Sequence, residues 1–195
     1  MAVAEKPLYY LTIHEAQQLI REGKLSPVEL TKSVLDRIAA VDGRLHAYIN
    51  LMADSAMDTA RAAEAEIAKG NWRGPMHGIP FAVKDQLDVE GAPARVRQFT
   101  QGVGDATPVR KLREAGAVLL GKLHMSSMPG EELPLPRNPW NTDHITGGSS
   151  TGSGAAVAGG LCLGSLGEDT AGSIRNPSAF WVIHGCTDVS ERVCN

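Results

Sequence analysis

Residues 147–177 read Gly147-Gly-Ser149-Ser150-Thr-Gly-Ser-Gly-Ala-Ala-Val-Ala-Gly-Gly160, then Leu161-Cys-Leu-Gly-Ser-Leu166, then Gly167-Glu-Asp169-Thr-Ala-Gly-Ser173-Ile-Arg175-Asn-Pro177. Two glycine-flanked serines, Ser149 and Ser173, lie 24 residues apart. Glycine loses the most conformational freedom in a regular element and offers no side chain to bury, so this density of small residues points to backbone drawn close to a ligand rather than to core packing. A flexible Gly/Ser linker is the plain alternative. It leaves the helix-forming run Ala155–Ala158 and the charged Glu168, Asp169 and Arg175 without a reason.

Upstream, Gly74-Pro-Met-His-Gly-Ile-Pro80-Phe-Ala-Val-Lys84-Asp85 places a short apolar strand directly before a lysine. Taken alone, Lys84 reads as a strand-end lysine snorkelling to water. It does not stand alone, because the two serine sites lie downstream of it.

These three elements resemble the amidase signature family of serine hydrolases. Gly147-Gly148-Ser149-Ser150 is similar to that family's first glycine-serine turn, and Gly167 to Arg175 resembles its nucleophile loop at the family's own spacing. The Pro-x-x-x-Lys-Asp arrangement ending at Asp85 resembles the segment that carries its base. Thr151 and Ala171 depart from the commonest form, and Ala94-Arg95-Val96-Arg97-Gln98 stands where a threonine-rich turn is usual. The resemblance implies a Ser-Ser-Lys relay in which Ser173 attacks, Ser149 passes the proton and Lys84 is the final base. It also implies an oxyanion hole from the N–H groups of Thr170, Ala171, Gly172 and Ser173, a cis Gly148–Ser149 bond, and support from Ser150, Asp169 and Arg175.

Other hydrolytic machinery fits less well. Gly148-Ser-Ser150-Thr-Gly152 matches the G-x-S-x-G elbow, but the polar stretch Asn141–Thr146 precedes it where an apolar strand is required. No Gly-Lys-Ser/Thr follows the glycines, as a phosphate loop would need. The six histidines form no metal-spaced pair and read as structural or surface residues.

The remaining chain reads as scaffold. Thr12-Ile-His-Glu15 and Ser26-Pro-Val-Glu29 are capping boxes that open two helices, the second stopping at Gly43. Met52 to Lys69 is a third helix ended by Gly70. Pro108 to Gly116 is a short helix leading into the buried strand Ala117–Lys122, the order expected of an α/β layer. Residues 129–140 form a proline-rich loop ending in Asn138-Pro-Trp-Asn141.

Charge is nearly balanced, with 19 basic and 22 acidic residues, so neither nucleic acid nor an anionic membrane is an expected partner. No apolar run reaches the length of a membrane span. Three cysteines without a C-x-x-C pair favour a reducing cytoplasm. No cofactor is expected.

The expected architecture is therefore α/β, a mixed sheet flanked by helices in the amidase signature fold, cut short. Residues 1–180 form a partial amidase domain, with N-terminal helices over 1–70 and the catalytic α/β part over 71–180. Residues 181–195 form an atypical tail, read as a frame shift or a truncated gene model. Strands missing from the sheet are expected to leave an unpaired edge. The expected function is amide hydrolysis through a serine acyl-enzyme on a small-molecule amide. Two alternatives stand beside it: a glutamine-hydrolysing subunit of a tRNA-dependent amidotransferase, and an inactive fragment. Partner chains would be amidotransferase subunits or further copies of this chain.

Overall fold

The computed structural model describes residues 6–94, 104–125, 134–144, 146–181 and 183–187. Residues 95–98 of the departing stretch Ala94–Gln98, residues 129–133 of the proline-rich loop and residues 188–195 of the tail lie outside the described residues. Six α-helices and four strands follow in the order α1 (Ile13–Arg21), α2 (Pro27–Leu45), β1 (Tyr48–Leu51), α3 (Ala53–Ala68), β2 (Pro80–Lys84), α4 (Thr107–Glu114), β3 (Val118–Leu123), α5 (Thr151–Gly159), β4 (Gly164–Leu166) and α6 (Arg175–Trp181). The described strands form one sheet in the order β1-β3-β2-β4, in which β2 is parallel to both β3 and β4 and β1 is antiparallel to β3.

Both faces of the two central strands are covered, which is why β2 and β3 read as continuous apolar runs rather than as alternations. On one face Ala82, Val118, Leu120 and Leu123 pack with Val34, Ile38 and Val41 of α2, Ala56 and Ala60 of α3, and Ala155, Ala156 and Ala158 of α5. On the other, Phe81, Val83 and Leu119 pack with Val109 of α4 and with Val89 and Ala92 of the following loop. A third cluster, Ala16, Ile20, Leu25, Leu30 and Ile79, seals the N-terminal end of β2.

Thr12 and Glu15 form the full reciprocal capping box that starts α1. The box expected at Ser26 is half formed. Ser26 Oγ accepts from the Val28 and Glu29 amides at 3.0 and 3.2 Å, but the reciprocal Glu29 bond is not among those of the described residues, and the Ser26 hydroxyl donates to Glu64 of α3 instead. Nor does α2 stop at Gly43. It runs on to the buried Leu45 and ends at His46 in the left-handed region (φ 54°), because the Asp42 carboxylate accepts from the Ala47 and Tyr48 amides and turns the chain there. β1 and β4, four and three residues long, carry no readable period and owe their form to pairing.

The small residues of 151–159 also differ from the expectation that they serve a ligand alone. α5 is buried along nearly its whole length, and its glycines let backbone meet backbone. A Cβ on Gly152 would lie 2.4 Å from His124 N and 2.5 Å from Ala47 O. That closeness permits the Gly152 amide to donate to His124 O at 2.9 Å and the Thr151 hydroxyl to the same oxygen at 3.2 Å. The start of α5 is thus fixed on the C-terminal end of β3.

Cys162 is a buried free thiol. Among the described residues no helix is long and apolar enough to cross a membrane.

Because the atoms facing Gly152 are backbone and cannot swing aside, Gly152→Ala is expected to destabilise the fold by about 1–3 kcal/mol. A lowered urea midpoint with unchanged slope would register this. An unchanged midpoint would mean that α5 can shift freely along β3.

Candidate active site

Lys84 is the last residue of β2 and has no solvent exposure. Its amine is reached by two loops: the turn before α5, carrying Ser149, and the segment between β4 and α6, carrying residues 167–174. Because β4 pairs with β2 in parallel, Val83 opposite Leu166, the chain leaving β4 passes directly over the end of β2.

Lys84 Nζ donates to Ser149 Oγ at 2.9 Å, and Ser149 Oγ donates to Ser173 Oγ at 3.2 Å. Residues separated by 65 and 24 positions in sequence therefore form one unbroken line of contacts. The Gly148–Ser149 peptide bond is cis, and Gly147 before it is left-handed (φ 69°). The Ser150 amide donates to Ser173 O at 3.1 Å and its hydroxyl to Glu168 O at 3.3 Å, which ties the two serine loops together. Asn138, from the loop leading to this turn, donates through Nδ2 to Phe180 O at 3.5 Å and joins the approach to α6.

Asp169 organises the loop of residues 167–174. Its two carboxylate oxygens accept from the amides of Gly172 (2.7 Å), Ile174 (3.0 Å) and Arg175 (3.0 Å), and from Arg175 Nε and Nη2 at 3.2 and 3.0 Å. The Arg175 guanidinium, followed by these backbone donors, holds the Asp169 carboxyl well below the usual carboxylate range. This geometry corrects the reading of Gly172 as a fourth oxyanion donor, since its N–H is committed to Asp169. Among the described residues no intramolecular acceptor is found for the N–H groups of Thr170, Ala171 or Ser173.

Burial pushes the Lys84 amine below the usual lysine range, while the nearby Glu168 and then Asp169 carboxylates oppose that effect. Glu168 has no counterpart among the site residues expected from the sequence, where it is merely a loop charge. It lies with its main-chain oxygen 3.4 Å and Oε2 3.5 Å from Nζ. No spacing rule could have found it, because only the folding of the loop back over β2 brings the two together. Lys122 and Asp85 form a second buried pair at 3.2 Å beside the site. A cavity of about 690 Å³ lies next to the nucleophile loop, lined by Ser150, Glu168 and Asp169 together with β4, α5 and residues 183–187. Lys84, Ser149 and Ser173 are outside its lining. Among the described residues no three His, Cys, Asp or Glu side chains converge as a metal site.

Replacing Asp169 by Asn removes an acceptor from amides that the carboxylate alone can satisfy. Since its folded carboxyl is depressed, the stabilisation is complete above the ordinary carboxylate value near 3.8 and is lost as pH falls through the lower folded one. Asp169→Asn is therefore expected to lower the unfolding midpoint by a constant amount between about pH 5 and pH 8 and by less in strong acid. A penalty that grows toward acid pH would contradict this assignment.

Comparison with known proteins bears on the family and the fold. The Amidase family model matches residues 29–189. The chain is 44% identical over 196 residues to the glutamyl-tRNA(Gln) amidotransferase A subunit of Moorella thermoacetica, covering 95% of this chain and 40% of that protein. The native peptide amidase of Stenotrophomonas maltophilia superposes with a TM-score of 0.77 at 34% identity, over 91% of this chain and 39% of that one. A fatty acid amide hydrolase structure gives 0.82 at 26% identity, over 92% and 33%. The chain thus spans about 40% of the length of the curated relatives it matches. With the family match extending over most of its length and the fold in agreement, the chain belongs to the amidase signature family.

Proposed function

We propose that this chain carries the reacting groups of an amide hydrolase that works through a serine acyl-enzyme. The observation that carries the reading is the continuous run from Lys84 Nζ through Ser149 Oγ to Ser173 Oγ, at 2.9 and 3.2 Å. A serine hydroxyl attacks an amide only if its proton has somewhere to go and the developing oxyanion is met by fixed donors.

In the reaction Ser173 Oγ bonds to the amide carbon as the carbonyl π electrons move to oxygen. The Ser173 proton passes to Ser149, whose own proton passes to the neutral Lys84 amine. The N–H groups of Thr170, Ala171 and Ser173 face the oxyanion. Collapse of the tetrahedral species breaks the C–N bond, and the leaving amine takes the proton back from Lys84 by way of Ser149. Water then repeats the sequence on the ester and releases the acid.

The base sets the energetic requirement. An unperturbed lysine is neutral at pH 7 only about once in 2,500 molecules, a deficit of roughly 4.6 kcal/mol. Complete burial of Lys84 acts in the direction that reduces this deficit.

A second reading is favoured by the 44% identity to an amidotransferase chain. The same groups would then release ammonia from glutamine for a partner protein. Hydrolysis of free glutamine, or co-purification with other amidotransferase subunits, separates it from a stand-alone amidase.

A fluorophosphonate probe should label Ser173 in the native chain. Ser173→Ala is expected to abolish labelling, and Lys84→Ala to slow it by at least about 10³-fold. Labelling that persists in the Ser173 variant would refute the assignment. Total absence of labelling in the folded native chain would favour the inactive-fragment alternative.

A further inference from the structure

Glu168 is the charged side chain at this site that the hydrolytic scheme does not use, and its position works against that scheme. A base must be uncharged to accept a proton, yet Glu168 presents both its main-chain oxygen (3.4 Å) and its carboxylate (3.5 Å) to the Lys84 amine. We propose that Glu168 controls the charge of Lys84, holding the amine as ammonium through this contact so that the base becomes available only at more alkaline pH or when the carboxylate is drawn away. The inference rests on the proposed role of Lys84 as base.

The pair is asymmetric in a way that suits a control. The amine has no solvent exposure, whereas the Glu168 side chain is 36% exposed. Its other oxygen accepts from the Thr170 hydroxyl at the surface of the loop. The carboxylate can therefore rotate into water or be screened by salt without disturbing the core, while Lys84 stays where it is.

Other charges around the amine leave Glu168 as its main opponent. α5 and β4 carry no ionisable side chains. Asp169 is more distant in effect and is already neutralised by Arg175. On β3, Lys122 is paired with Asp85. Glu168 is accordingly the first among the groups that raise Lys84 against its burial.

The test uses the whole chain with 13Cε-labelled lysine, the Lys84 resonance being identified by its loss in Lys84→Arg. In Glu168→Gln the Lys84 titration midpoint is expected to fall by about 0.5–1 pH unit, the range left for a close opposite charge after discounting for exposure. The acid limb of Ser173 labelling by a fluorophosphonate should move down by the same amount, and added salt should shift the native chain in the same direction while leaving the variant unchanged. A Lys84 midpoint that is unmoved or raised in Glu168→Gln overturns the proposal. Should that variant fail to fold, Glu168→Ser is read in the same way. A midpoint that falls while no form is labelled would retain the control of charge and refute the hydrolase reading. Labelling with an unmoved acid limb would do the reverse.

Discussion

The desolvation of one amine is the constraint around which this molecule is arranged. Lys84 ends a strand covered on both faces, with Ala82 beneath α2 and α5 and Phe81 and Val83 beneath α4. A lysine at the end of an edge strand would reach water along its methylene stem. Here β3 and β4 flank β2, the nucleophile loop passes over its end, and the only polar contacts of Nζ among the described residues are Ser149 and Glu168. Those layers turn an ordinary cation into a group whose charge can be decided locally.

The two serine loops are held by different means, each suited to its residues. The start of α5 is held on the end of β3, where the Gly152 amide and the Thr151 hydroxyl both donate to His124 O, and the absence of a side chain at Gly152 is what permits the contact. The loop carrying Ser173 is fixed by a side chain, with Asp169 gathering three amides and a guanidinium. A carboxylate satisfied in this way stays ionised. Ser150 links the loops through Ser173 O and Glu168 O, so a displacement of either would be felt by both.

Glu168 introduces a tension into this arrangement. Burial favours the neutral amine and the carboxylate favours the ammonium. Native sites carry such opposed terms where a group must hold one charge state at rest and another during reaction. The half-exposed position of Glu168 makes its side of the balance the adjustable one.

Local rules, legible in the order of residues, account for part of this protein. The Thr12–Glu15 capping box, the alanine-rich α3, the apolar strands read as ending at Lys84 and Lys122, and the candidate set of one lysine and two serines follow from spacing, propensity and family resemblance. Those rules mislead where the cause lies elsewhere in the chain. Gly43 looks like a helix stop until Leu45 is given a core to fill and Asp42 two amides to cap, and the small residues of α5 look like a ligand cradle until β3 is packed against them. Folding alone settles that Gly172 donates to Asp169 rather than remaining free, and that Glu168 stands beside an amine 84 residues away. Hydrogen bonding and charge pairing across such separations depend on a few ångströms set by sheet register and loop path, and neither quantity is encoded in any short stretch of residues.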